Sequence, residues 1–282
     1  MAWFLRYCTQ EPVTQPRSTM NNGTFHPKLE KRLAAVHEDF RVYAVNAFAI
    51  RDKARADEEF TNFATRDEFP DLIPEGEIWI TEKSANKEGL FFTANALTCI
   101  KEQARGKSEE TASSSGLEVE RTLRAKVNGI AFRDGRPHKR VPESIYRHRY
   151  LVLPDQKFPI KVWVVDGNLV RSYYKTDYAE GGHGYVYPWV PRNEIWIDDS
   201  VHVREMPFIV AHEYIEHRLM RDENIDYDTA HEICSRVEFQ LRKNRGIKRF
   251  LASGRRGIKK GDLQRLTAAE LFAFVLKNYV NR

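Results

Sequence analysis

The sequence predicts an α+β protein made of two internally duplicated strand–strand–helix–helix units, with a helix flanking them at each end. Three observations predict it. "IPEGEIWITE" (73–82) recurs as "VPRNEIWIDD" (190–199). Around that pair, "VYAVNAFAIRD" (42–52) matches "VWVVDGNLVRS" (162–172), "TNFA" (61–64) matches "TDYA" (176–179), and "VERTLR" (119–124) matches "VEFQLR" (237–242), all in the same order and at a near-constant offset. Such ordered self-similarity marks a repeat rather than a chance motif. Finally, within each unit the apolar pattern passes from alternation to helical spacing.

Taken in order, residues 1–41 form a lead segment in which "HPKLEKRLAAVHEDF" (26–40) reads as an amphipathic helix. The first unit spans 42–125, with a β-branched and aromatic strand over 42–50, a second strand ending in EIWI, and two helices. Its low-complexity "GKSEETASSSG" (106–116) reads as a loop. A basic, proline-containing linker covers 126–160. The second unit, 161–243, repeats the pattern with a strand over 162–170, the EIWID strand, and helices over 206–221 and 227–243, the latter N-capped by Asp226. In the last segment, 244–282, "TAAE" beginning at Thr267 is a capping box that opens a C-terminal helix.

At 282 residues, 41% hydrophobic and 30% charged, the chain has the composition of a globular protein, not a disordered one. It has no apolar run long enough for a membrane span, and "MAWFLRYC" is too short for a signal-peptide core. Cys8, Cys99 and Cys234, without a CxxC pair, suit reduced thiols in a cytoplasmic protein. The net charge of +5 is concentrated in 242–265 and 133–149. These stretches are solvated linkers, or else weak nucleic-acid contacts made through phosphates. No nucleic-acid-binding motif accompanies them.

The chemistry is concentrated in "FIVAHEYIEHRLM" (208–220), where two histidines and two glutamates interrupt an apolar helix. At about 100° per residue, His212 and Glu216 fall inside the apolar stripe, Glu213 at its edge and His217 on the polar side. A solvated charged face would have placed all four opposite the apolar residues. On the next helix His231 and Glu238 share a stripe beside Tyr227 and Cys234. Two facing helices then bring His212, Glu216, His231 and Glu238 to one spot, as an ion pair network or as ligands of one cation. Imidazole and carboxylate are good zinc ligands, and the stripes carry no lysine or arginine to favour ion pairs. The first unit is an internal control: Asn95, Ala96, Cys99 and Ile100 replace His212, Glu213, Glu216 and His217, and a serine run lies opposite His231. Glu120 alone matches, with Glu238. The fold pattern therefore survives loss of the set, which points to a functional set.

The EIWID strand followed by His-Glu-x-x-Glu resembles the zincin-like metallopeptidases. "HEYIEHRLM…YDTAHEICSRVE" also resembles an HExxE…AH…E block of uncharacterised bacterial and phage-encoded proteins. The resemblance implies a zinc metallopeptidase acting on a peptide or protein, with His212 as first ligand, Glu213 as general base, Glu216 as second ligand in place of the usual histidine, and His231 or Glu238 as the third. The extra carboxylate widens the metal choice to manganese or iron. It further implies that Glu194, Trp196 and Asp198 lie on an edge strand that holds the extended substrate. The glycine-rich "TDYAEGGHGYVYP" (176–188) either places His183, Tyr185 or Tyr187 as oxyanion donors or is an ordinary turn. The alternative function is a non-catalytic binding protein with a structural ion or a buried polar network.

Overall fold

A computed structural model describes residues 31–51, 60–130, 142–153 and 158–243. The expected C-terminal helix from Thr267, nearly all of the basic 242–265 stretch and part of the 126–160 linker lie outside the described residues. The described chain is mixed α and β and divides into two compact units: residues up to Asn46 with Phe63–Gly129, and Ala47–Asn62 with the chain from Ile130.

Unit one contains a sheet of β1 (Lys31–His37), β2 (Phe40–Val45), β3 (Phe63–Ala64) and β4 (Glu77–Thr81), in the order β1-β2-β4-β3. β1 is antiparallel to β2, β2 parallel to β4, and β3 antiparallel to β4. Two helices follow, α2 (Glu82–Ala104) and α3 (Glu109–Asn128); α1 (Ala47–Arg51) belongs to unit two. Unit two contains β5 (Tyr146–Leu153), β6 (Ile160–Val165), α4 (Gly167–Tyr173), β7 (Gly181–His183), β8 (Glu194–Asp198), α5 (Met206–Asp222) and α6 (Tyr227–Lys243). Its order, β5-β6-β8-β7, and the directions of its pairings are the same as in unit one.

Four expectations need correction. The helix predicted over 26–40 is, from Lys31 onward, the β1–β2 hairpin, turned at Glu38 with a left-handed φ of 53°. The apolar residues of 31–37 suit a helix face, but pairing with β2 prevails. The first strands end at Val45 and Val165 rather than at Ile50 and Val170; in the second repeat Asp166 caps α4 by accepting from Leu169 N at 3.1 Å. The serine-rich "loop" is the start of α3, with Ser108 as N-cap and the small Ala112, Ser113 and Gly116 buried. Residues 146–153 of the supposed linker form β5, an edge strand.

The core of unit two shows why the EIWID stretch is so apolar. Ile195 and Ile197 join Val162, Val164, Ile209, Leu219, Val237 and Leu241 on one face, while Trp196 packs with Tyr174, Tyr178 and Trp189 on the other. A strand buried on both faces carries apolar side chains at both parities. α5 is enclosed to match: every residue from Ile209 to Leu219 is buried. Among the described residues no helix is long and apolar enough to cross a membrane.

Candidate metal centre

α5 and α6 carry the site, with β7 alongside α5. α6 begins where expected, Asp226 Oδ1 accepting from Thr229 N at 3.0 Å. One turn apart on α5, His212 and Glu216 face His231 of α6. His212 Nε2 is 3.0 Å from His231 Nδ1, His231 Nδ1 is 3.1 Å from Glu216 Oε2, and His212 Nε2 is 3.6 Å from Glu216 Oε2. Bonds of about 2.0–2.2 Å to a tetrahedral zinc separate its ligand atoms by about 3.3–3.6 Å, so the 3.6 Å edge matches and the two shorter, hydrogen-bonded edges would have to open by a few tenths of an ångström to hold one cation.

The outer hydrogen bonds fix what the inner nitrogens offer. His212 Nδ1 donates to Glu238 Oε2 at 3.1 Å, which leaves the Nε2 lone pair facing inward. His231 Nε2 meets Ser235 Oγ at 3.4 Å, which leaves Nδ1 as the inward atom. Two imidazole lone pairs 3.0 Å apart repel unless a proton or a cation lies between them. With no cation, the raised proton affinity of His212 supplies that proton; the same donors, two imidazole nitrogens and a carboxylate, also fit a divalent cation in its place.

Glu238 is in a different position from the one its spacing suggests. Its carboxylate meets the outer nitrogen of His212, behind the ligand, and the convergent set is His212, Glu216 and His231. Nor are the stripes free of cations: Arg242, one turn beyond Glu238, donates to Glu238 Oε1 at 2.7 Å and to Glu205. Burial would raise the Glu238 pKa, but Arg51, His212 and Arg242 outweigh it and hold the carboxyl far below the usual range. Glu216 is likewise held well below its ordinary value, the imidazoles of His183, His212 and His231 prevailing over burial. His212 is raised well above its ordinary value because Glu216 and Glu238 outweigh its burial.

Glu213 behaves oppositely. Burial, reinforced by Glu216, pushes its carboxyl well above the usual range, and its Oε2 is buried without a hydrogen-bond partner. Its Oε1 lies against β7, where a Cβ at Gly181 would come within 3.0 Å of it. In unit one Phe63, paired with Ile80 as Gly181 is with Ile197, stacks on Phe92.

His183 is close to the ligands. Its Nδ1 accepts from Tyr185 N at 3.2 Å, which leaves the ring proton on Nε2. That nitrogen is 3.1 Å from Glu216 Oε1 but off the line of a hydrogen bond. His183 therefore carries its ring proton close to Glu216 without a hydrogen bond to it, while His183, Glu213 and Glu216 form a second group of possible ligand atoms. Tyr185 offers its ring: edge-on to His217 at 4.9 Å between centroids, with the Arg192 guanidinium over it at 4.3 Å. Tyr187 packs between Trp189 and Gly182. His217, expected on a polar side, is fully buried and bonds to Arg192 O at 2.8 Å.

The proposed substrate strand is corrected by the topology. β8 is paired on both sides, to β6 and β7, so its backbone has no free edge. Glu194 accepts from Tyr146 Oη at 2.9 Å and Trp196 Nε1 at 3.0 Å, Trp196 is fully buried, and Asp198 forms a buried ion pair with Arg171. β7, next to β8, is one of the two edge strands, but all three of its residues are buried. Of the three candidate ligands, His231 is the most open, its side chain 21% exposed, with Tyr227 stacked on its ring.

Unit one has a related side-chain set. Asn95 donates to Glu120 at 2.6 Å where His212 donates to Glu238. Glu88, Arg124 and Glu120 pair as Glu205, Arg242 and Glu238 do, and each arginine lies 4.4 Å from a phenylalanine ring, Phe91 or Phe208. Sequence reasoning missed Arg51, Glu205 and Arg242; of these only Arg242, four residues after Glu238, was visible by spacing. Comparison with protein-family models, curated proteins and solved structures finds no match.

Proposed function

We propose that this protein is a metal-dependent hydrolase of the zincin-like metallopeptidase kind, with zinc held by His212, Glu216 and His231. The observation that carries the reading is the pair of inward imidazole nitrogens 3.0 Å apart beside a carboxylate held ionised. A divalent cation held by His212, Glu216 and His231 would supply Lewis-acid chemistry, lowering the pKa of a bound water and polarising a substrate carbonyl. Glu213, beside the ligands, is the general base: its high proton affinity suits taking the water's proton and passing it to the leaving group. Glu238 holds His212 in the ligating tautomer, and His183 orients Glu216. Manganese or iron can replace zinc because one of the three ligands is a carboxylate.

The substrate is a peptide or protein entering from the His231 and Tyr227 side, since β8 has no free edge. The basic 242–265 stretch is an accessory contact for an acidic partner or nucleic acid, and the compartment is the cytoplasm. Shared strand order and the two Glu–Arg–Glu groups support descent of both units from one duplicated ancestor whose metal residues persist only in the second.

A second reading, a non-catalytic protein with a buried polar network, is favoured by Arg51 and Arg242, which neutralise Glu238 without any metal. Elemental mass spectrometry of purified protein separates the two, run beside His212→Ala and Glu216→Ala variants whose folding is checked by circular dichroism. Near-stoichiometric zinc, manganese or iron in the wild type, lost in folded variants, is expected. A wild type that stays metal-free after zinc is supplied sinks the hydrolase reading.

A further inference from the structure

We infer that Arg51 is a positioning residue for the metal centre, acting through Glu238; this rests on the metal reading above. In sequence Arg51 belongs to the connection between β2 and β3, yet in the fold it is part of unit two. It is 5% exposed and meets three carboxylates there: Glu180, with which it forms a close ion pair, Glu205 at 3.5 Å and Glu238 at 3.4 Å.

Each contact has a consequence at the ligands. Arg51 and Arg242 both meet Oε1 of Glu238, and so the other oxygen, Oε2, remains on His212 Nδ1. That bond decides which nitrogen of His212 faces the cation. Glu180 stands immediately before Gly181 with a left-handed φ of 57°, at the turn that leads into β7 and His183. One guanidinium thus ties the turn before His183 to the carboxylate behind His212. Without it, Glu205 and Glu238 would share Arg242 alone, and repulsion between the two carboxylates would turn Glu238 away from His212.

The repeat pattern shows how Arg51 became available. It aligns with Arg171, which pairs with Asp198 inside its own unit. The residue aligned with Asp198 in the first unit is Thr81, which offers an arginine no charge. The first repeat's arginine, itself part of unit two in the fold, pairs there with Glu180, Glu205 and Glu238 instead. A first copy without metal residues is therefore retained for more than its own fold: its β2–β3 connection completes the second copy's site.

The test uses the full chain with Arg51→Met, Arg51→Lys, Glu238→Gln and the Arg51→Met/Glu238→Gln double variant. Zinc affinity is read by competition with a chromogenic chelator, ligand geometry by the visible absorption of cobalt-loaded protein, and folding by circular dichroism of the metal-free form. Arg51→Met is expected to weaken zinc binding about 10–100-fold and shift the cobalt spectrum. Arg51→Lys should recover part of the loss, and Arg51→Met should add nothing in the Glu238→Gln background. Wild-type affinity and spectrum in Arg51→Met, or full additivity with Glu238→Gln, overturns the inference. Should Arg51→Met fail to fold, Arg51→Lys alone decides: a several-fold loss absent from the Glu238→Gln background supports the inference, and unchanged affinity overturns it. A wild type that takes no zinc is seen before any variant is compared and overturns the metal reading itself.

Discussion

Glu213 and Glu216 are three residues apart on one helix, both buried, and their pKa values move in opposite directions. The difference lies in their neighbours: imidazoles surround Glu216, while Glu213 faces β7 and the other carboxylates. Separating the proton affinities of neighbouring carboxyls is how an active site assigns one to ligation and another to proton transfer. Glu213→Gln should therefore keep stoichiometric metal and lose about 10²–10⁴-fold in turnover. Metal analysis beside a peptidase assay checks this, and loss of the metal would show Glu213 to be a ligand instead. A purely structural ion pair lies at the end of the same helix. Burial would raise the pKa of Asp222, but hydrogen bonds from Arg221 and Arg218 outweigh it and hold the carboxyl below the usual aspartate range. A carboxyl whose folded pKa is depressed adds stability above its unfolded pKa, near 3.8, and loses that contribution as pH falls through the folded value. Asp222→Asn should thus cost about 1–2 kcal/mol at pH 7, with the gap from wild type closing as the pH falls below 4 in denaturant titrations.

At the level of elements, small residues decide how closely helices and strands approach. Gly167, the first residue of α4, lies against Asp198, and a methyl group there would overlap the carboxylate paired with Arg171. The first repeat has Ala47 at the matching sequence position and the uncharged Thr81 where the second has Asp198. Gly167→Ala should therefore disrupt a fully buried ion pair and destabilise unit two by about 3–5 kcal/mol, measurable as an earlier chemical-denaturation midpoint. A shift under 1 kcal/mol would mean that Asp198 can swing aside. Gly116 works similarly in α3, where a side chain would collide with Asn95 and Cys99 of α2. The serine- and glycine-rich composition that suggests a loop is in fact what lets these two helices pack closely. Local composition alone cannot separate those cases; the buried face of α3 does.

On the scale of the molecule, a metal that binds only folded unit two should stabilise that unit and leave the other unchanged. Zinc at 100 times its dissociation constant contributes about 2.7 kcal/mol. Hydrogen exchange followed by mass spectrometry should then show amides of α5 and α6 slowing on zinc addition and accelerating with chelator, while α2 and α3 stay constant. Equal protection of all four helices would mean that the cation binds elsewhere or that the units unfold together. Arg51 leads to the same scale from the other direction, since a residue of the first repeat's sequence serves the second repeat's site.

The sequence by itself determined the repeated pattern, the extents of α5 and α6, the Asp226 cap, and, of the four residues expected to converge, the approach of His212, Glu216 and His231. All of these follow from spacing within one or two adjacent elements, where helical geometry turns residue number into direction. Only the tertiary structure decided that β8 is interior, that residues from Lys31 form a strand, that Glu238 stands behind His212, and that Arg51 reaches it. Those outcomes depend on which distant segments pack together, and pairing energies between such segments leave no period in the chain. Arg51 is the clearest case, because the partner its repeat pattern would assign it is Thr81, while its charge is satisfied by glutamates more than a hundred residues further along the chain.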